Sequence, residues 1–125
     1  MEINTKELKK DLKINENNLQ GEWSKQAGLY MHYGEGASLF KKLRDDKKRK
    51  LFKKFVEENK EKPLSESALT RMVDKNAEVI EFQYQLDMYR NAVWSFEQKK
   101  KALESETQLL IGGFFAEPKN KRKGG

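Results

Sequence analysis

The sequence predicts an all-α protein: a long helical hairpin with a short N-terminal helix, self-associating into a homo-oligomer. Three observations lead there. Between Pro63 and Pro118, the only two prolines, strand signals are almost absent. Apolar residues recur at spacings of three, four and seven through two long segments. The chain is 36% hydrophobic and 37% charged, so a monomer has a thin core and burial in an oligomer is a natural remedy. At 125 residues one domain is expected, residues 1–113, followed by docking residues and a basic tail at 114–125.

Taken in order, Thr5 is suited to cap a short helix through Leu8 and Leu12, with Glu7 in its first turn. Ile14 to Asn18 reads as a connection. A second helix starts near Asn15–Asn18 and runs toward Lys60 on a stripe of Leu19, Trp23, Ala27, Tyr30, Ala37, Phe40, Leu43, Leu51 and Phe55. Gly21, Gly28, Gly34 and Gly36 each cost roughly 1 kcal/mol against Ala in a helix interior, which makes the YGEG segment the expected break or kink. Glycine also permits close helix packing, and sequence alone does not separate the two.

Pro63 forbids smooth continuation. Ser65 then caps the next helix, with Leu64 and Leu69 at the spacing of a hydrophobic staple. The stripe Leu69, Val73, Ala77, Ile80, Tyr84, Met88 and Ala92 carries this helix from about 65 to 111, where Gly112-Gly113 ends it. Phe82, Leu86, Val93, Trp94 and Phe96 flank the stripe, more apolar surface than one hairpin hides. Leu86, Val93, Trp94, Phe96, Leu109, Leu110, Phe114 and Phe115 are therefore the candidate subunit contacts.

Catalytic chemistry is poorly provided for, and no enzyme is expected. His32 is the only histidine and cysteine is absent, which removes the usual nitrogen and sulfur ligands of zinc and leaves no thiol chemistry. No metal or cofactor is expected. Adjacent carboxylates such as Asp45-Asp46 and Glu57-Glu58 diverge by about 100° on a helix and read as intrahelical charge pairs. Gly34-Glu35-Gly36 follows no strand and lacks the Gly-Lys-Ser/Thr of a phosphate loop. The opening residues lack the apolar run of a signal peptide, no stretch is apolar enough to span a bilayer, and the missing cysteines fit a reducing cytoplasm.

One segment stands out. Residues 41–54 hold Lys41, Lys42, Arg44, Lys47, Lys48, Arg49, Lys50, Lys53 and Lys54 against Asp45 and Asp46, a local excess of seven positive charges where the whole chain carries +6. On a helix of about 38–60, Phe40, Leu43, Leu51 and Phe55 mark the buried side. Lys42, Arg49 and Lys53 project opposite, Lys50 lies beside them, and Lys47 and Lys54 flank. A solvated charged face is the plain alternative; the density of charge favours a polyanion, through counterion release. Tyr30, Tyr33, Phe52 and Phe55 lie near enough to stack on bases, although aromatics at helical spacing more often pack in a core.

The order TKELKKDLKI, GLYMHY, KKRKLFKKF and VDKNAEVIEFQYQL resembles the UvsY recombination mediators of T-even-like phages. The resemblance covers most of the chain in length, helix order and charge placement. It implies a small helical protein that forms a hexameric or heptameric ring through its C-terminal part and binds single-stranded DNA. It further implies contact with a single-strand-binding protein, the loading of a RecA-like recombinase, and a site in the host-cell cytoplasm. Leu51-Phe52-Lys53-Lys54-Phe55 stands where the family has a Leu-Lys-Ala-Arg-Leu type of sequence. Lys54 matches the arginine in charge and Phe52 replaces the lysine. The rival expectation is a basic helical oligomer that coats duplex DNA or serves as a scaffold without a recombinase.

Overall fold

The computed structural model describes residues 2–124, with side chains described through Gly112. The described residues are mostly helical: α1 (Thr5–Leu12), a 3-10 turn (Glu16–Asn18), α2 (Leu19–Glu58), α3 (Glu66–Asp74) and α4 (Ala77–Gly124). No strand occurs among the described residues.

Helix ends follow local side-chain chemistry. Asn4, not Thr5, caps α1: its Oδ1 accepts from the Glu7 N–H at 3.0 Å. Ser65 caps α3 as its sequence context suggests, with Oγ accepting from the Ala68 N–H at 3.1 Å. The helix expected from 65 to 111 is instead two helices. Lys75 leaves α3, and the Asn76 side chain accepts from the N–H groups of Glu78 and Val79 at 3.0 and 3.2 Å, starting α4 afresh. An asparagine satisfies two orphan donors of a new helix better than it serves inside an old one.

The glycines behave differently from expectation. α2 runs unbroken through Gly28, Gly34 and Gly36, and no glycine among the described residues adopts a positive φ. Glycine lacks a Cβ but has no steric bar to the right-handed helix. Its cost of roughly 1 kcal/mol is outweighed where tertiary packing holds the helix. α4 likewise does not stop at Gly112-Gly113. The docking proposed for Phe114 and Phe115 lies outside the described side chains.

The chain divides into two compact units, Met1–Ile3 with Tyr33–Asn91, and Asn4–His32 with Ala92–Gly125. Both long helices contribute to each, and in each they run antiparallel. In the first unit, Phe40 stacks on Tyr89 with ring centroids 5.7 Å apart, and Tyr33 and Phe82 complete the aromatic group. Gly36 sits against this group: a Cβ there would overlap the Tyr89 ring. Of the two roles sequence left open for the YGEG segment, Gly36 takes close packing. Leu51, Val73 and Val79 form a further cluster with Phe52 and Phe55 against it, joining α2, α3 and α4. The backbone N–H of Ile3 donates to Gln85 Oε1 at 3.0 Å, tying the N-terminus to α4.

The second unit is built on a polar centre. Lys99 and Glu22 form an ion pair at 3.0 Å, their side chains only 3% and 10% exposed. The Lys99 ammonium also donates to the Asp11 carbonyl in the last turn of α1, where unpaired carbonyls and the helix dipole favour a cation. Gln26 donates to the Phe96 carbonyl at 2.8 Å, and Trp23 donates its indole N–H to Thr107 Oγ1 at 3.0 Å. Phe96 and Leu103 are fully buried beside them.

The expected apolar stripes are therefore shifted. In the first half of α2 the buried positions are Glu22, Gln26 and Tyr33, while Ala27 and Tyr30 are exposed. On α4 the buried line runs through Val79, Leu86, Tyr89, Ala92 and Phe96, and Ile80 and Tyr84 face solvent. Leu69, Val73 and Ala92 of the second stripe are buried as expected, but carrying one periodic phase across the break at Lys75-Asn76 put Ala77, Ile80 and Tyr84 on the wrong face.

Candidate nucleic-acid interface

The basic run lies within the part of α2 that belongs to the first unit. Phe40 and Leu51 fix the buried side, and Lys42, Arg49 and Lys53 fall on the opposite side at about 100° per residue. Lys42 to Lys53 is eleven residues, about 16 Å along the helix axis.

The nine cations are not equivalent. Arg44 is drawn inward: it pairs with Asp45 at 2.9 Å and donates from Nη1 to Gln83 at 2.9 Å. Lys47 pairs with Glu78 of α4 at 3.2 Å, and Lys48 with Asp74 of α3 at 3.3 Å. These three brace the helices. Arg49 pairs with Asp46 and Lys54 with Glu58, both along the exposed helix, where such pairs contribute about 0.3–0.5 kcal/mol and yield readily to a stronger anion. Lys41, Lys42, Lys50 and Lys53 are exposed and have no ion-pair partner among the described residues. Sequence placed Lys47 on the flank but did not reveal its acidic partner on another helix. The signal was available in part: Glu78 and Asp74 are acids at opposite ends of the α3–α4 break.

The aromatics near the run do not form a stacking platform there. Tyr33 is buried, and Phe52 and Phe55 pack on the Leu51 cluster. Tyr30 is 40% exposed but belongs to the second unit, where its hydroxyl donates to Glu97 Oε1 at 3.0 Å. That hydrogen bond, then the carboxylate charge, hold the phenol above its ordinary pKa.

The candidate subunit contacts also separate. Leu86 and Phe96 are buried within the chain itself and offer nothing to a partner. Sequence counted their apolar surface as surplus; Gln26, which faces Phe96, did not look like core. Val93 is half-buried. Trp94, Leu109 and Leu110 are 62%, 71% and 65% exposed, and Ile111, which sequence reasoning passed over, joins them at 52%. Phe114 and Phe115 lie beyond the described side chains.

His32 is exposed. No group of three His, Cys, Asp or Glu side chains is placed to hold a metal among the described residues, and no helix there is long and apolar enough to cross a membrane. Comparison with protein-family models, with characterised proteins and with solved structures returns no match to this chain.

Proposed function

We propose that this protein binds single-stranded DNA through the outer face of α2 and acts as a recombination mediator, helping to load a RecA-like recombinase onto strands covered by single-strand-binding protein. The observation that carries the DNA part is the set Lys41, Lys42, Lys50 and Lys53: four exposed cations on one stretch of helix with no internal anion to neutralise them. Phosphates supply that neutralisation, with counterion release as the driving force. Arg49 and Lys54 join when their weak helical pairs exchange for phosphate. The mediator role rests on the resemblance of the four sequence segments to the UvsY family.

The exposed Trp94, Leu109, Leu110 and Ile111 support a homo-oligomer, ring-shaped as the resemblance implies. Repeating the basic face around an assembly raises affinity for long strands by roughly 10²–10⁴ through effective concentration. The test compares affinities for a long single strand and its duplex, before and after Lys42→Glu, Lys50→Glu and Lys53→Glu together. The expected result is preference for the single strand, lost in the triple variant at unchanged helix content. Equal affinity for the two forms would favour a duplex-coating scaffold instead. Recruitment is read separately, as recombinase filament assembly on strands already covered by single-strand-binding protein.

A further inference from the structure

We propose that the second unit carries a nucleobase site, a groove between α2 and α4 in which one base of a bound strand stacks while Lys100 and Lys101 hold the adjoining phosphate. The inference rests on the single-strand reading and adds to it a contact that the basic run does not provide. Its origin is the misplaced stripe of α2. Trp23, Ala27 and Tyr30 have the spacing of a core face, yet Glu22 and Gln26 occupy the buried positions. The stripe lines an open cavity of about 740 Å³ instead, with Met31 and Phe96. Apolar and aromatic residues that line an open concavity are the usual makings of a ligand site.

The lining selects the ligand. Two aromatic residues and a methionine suit a flat, polarisable ring. Both aromatics are tied at their polar edges within the unit, Trp23 to Thr107 and Tyr30 to Glu97, each at 3.0 Å. They therefore ask no hydrogen bond of the ligand and are held in place before it arrives, which lowers the ordering cost of binding. A site of this kind tolerates any base, because every base has a stacking face.

Charge then separates a nucleotide from an apolar helix. Lys100 and Lys101 line the same groove, are exposed, and have no ion-pair partner among the described residues. Glu97 and Glu104 line the groove as well and balance its formal charge, but neither stands at ion-pair distance from Lys100 or Lys101, and Glu97 is engaged by the Tyr30 hydroxyl. An aliphatic helix laid in the groove offers these two lysines no anion to contact. A nucleotide satisfies the aromatic floor with its base and the lysines with its phosphate. The volume falls within the roughly 300–1,000 Å³ of ordinary ligand sites.

The chain's two tryptophans make the test direct. In a Trp94→Phe background, emission reports Trp23 alone. Fluorescently labelled oligothymidylate and an abasic strand of equal length are titrated in, following anisotropy for binding to the parent protein and Trp23 emission for stacking in the variant. Oligothymidylate should quench Trp23 and the abasic strand should not. Filling the groove by Ala27→Phe should abolish the quench and weaken binding by roughly 5- to 100-fold, the range of one lost base stack. Lys100→Ala with Lys101→Ala, on exposed positions that leave the fold intact, should weaken the quench as well and serves if the filled variant fails to fold. Normal anisotropy without quenching, or equal quenching by the abasic strand, would overturn the base site alone. No anisotropy change with either strand would overturn the single-strand reading and the base site together.

Discussion

The two units divide aromatic and charged residues in opposite ways. In the first, Tyr33, Phe40 and Tyr89 pack inside and the lysines of α2 lie outside or at the edge. In the second, Lys99 and Glu22 lie inside with Gln26, while Tyr30 and Trp94 remain exposed. One pair of helices thus supports an apolar core in one stretch and a polar one in another. The first arrangement leaves Lys41, Lys42, Lys50 and Lys53 free for an outside anion. The second uses a cation to fix α1 and leaves aromatic surface over. What each unit offers a partner follows from what its core does not consume.

The largest expected effect breaks the polar centre. Lys99→Ala leaves Glu22 buried without its cation and the Asp11 carbonyl without its donor. A loss of about 3–5 kcal/mol is expected from urea denaturation, because the surviving charge keeps its desolvation cost. Replacing both partners, Lys99→Met with Glu22→Leu, should recover most of that loss. If the single variant were as stable as the parent, Lys99 would not be the clasp of the second unit.

Next comes the contact that defines the first unit. Gly36→Ala puts a methyl group into the Tyr89 ring and should cost about 1–3 kcal/mol, the range for overpacking a filled core. The same substitution at Gly28 or Gly34, where an added Cβ meets nothing within 4 Å, should instead stabilise by up to about 1 kcal/mol. Opposite signs in thermal unfolding for identical substitutions two residues apart would establish Gly36 as a packing glycine. Equal signs would mean that helix propensity alone decides all three.

These contrasts also mark what the sequence could tell. The all-helical class, the Ser65 cap and the placement of Lys42, Arg49 and Lys53 opposite Phe40 and Leu51 were legible, because each depends on a few neighbouring residues. The Asn76 cap was legible in principle: an asparagine directly before Ala-Glu-Val-Ile is a helix start. A continuous apolar stripe hid it. The Lys99–Glu22 pair was not legible, since its partners are 77 positions apart and charged residues ordinarily lie at the surface. Lys99 does stand in line with Ala92, Phe96 and Leu103 at core spacing, the one local sign of its burial. The groove was hidden by the same substitution of polar for apolar core residues. Its lining looked like core because Trp23, Ala27 and Tyr30 carry the expected period.

The claim that the outer face of α2 binds phosphate is tested most directly by the salt dependence of single-strand affinity. Each phosphate neutralised contributes about 0.7 to the slope of log K against log salt. Removing three contacts with Lys42→Ala, Lys50→Ala and Lys53→Ala should make that slope shallower by about 2, with the urea midpoint unchanged because none of the three has an internal partner. A slope identical to that of the parent protein would contradict the account and place the phosphate contacts elsewhere on the chain.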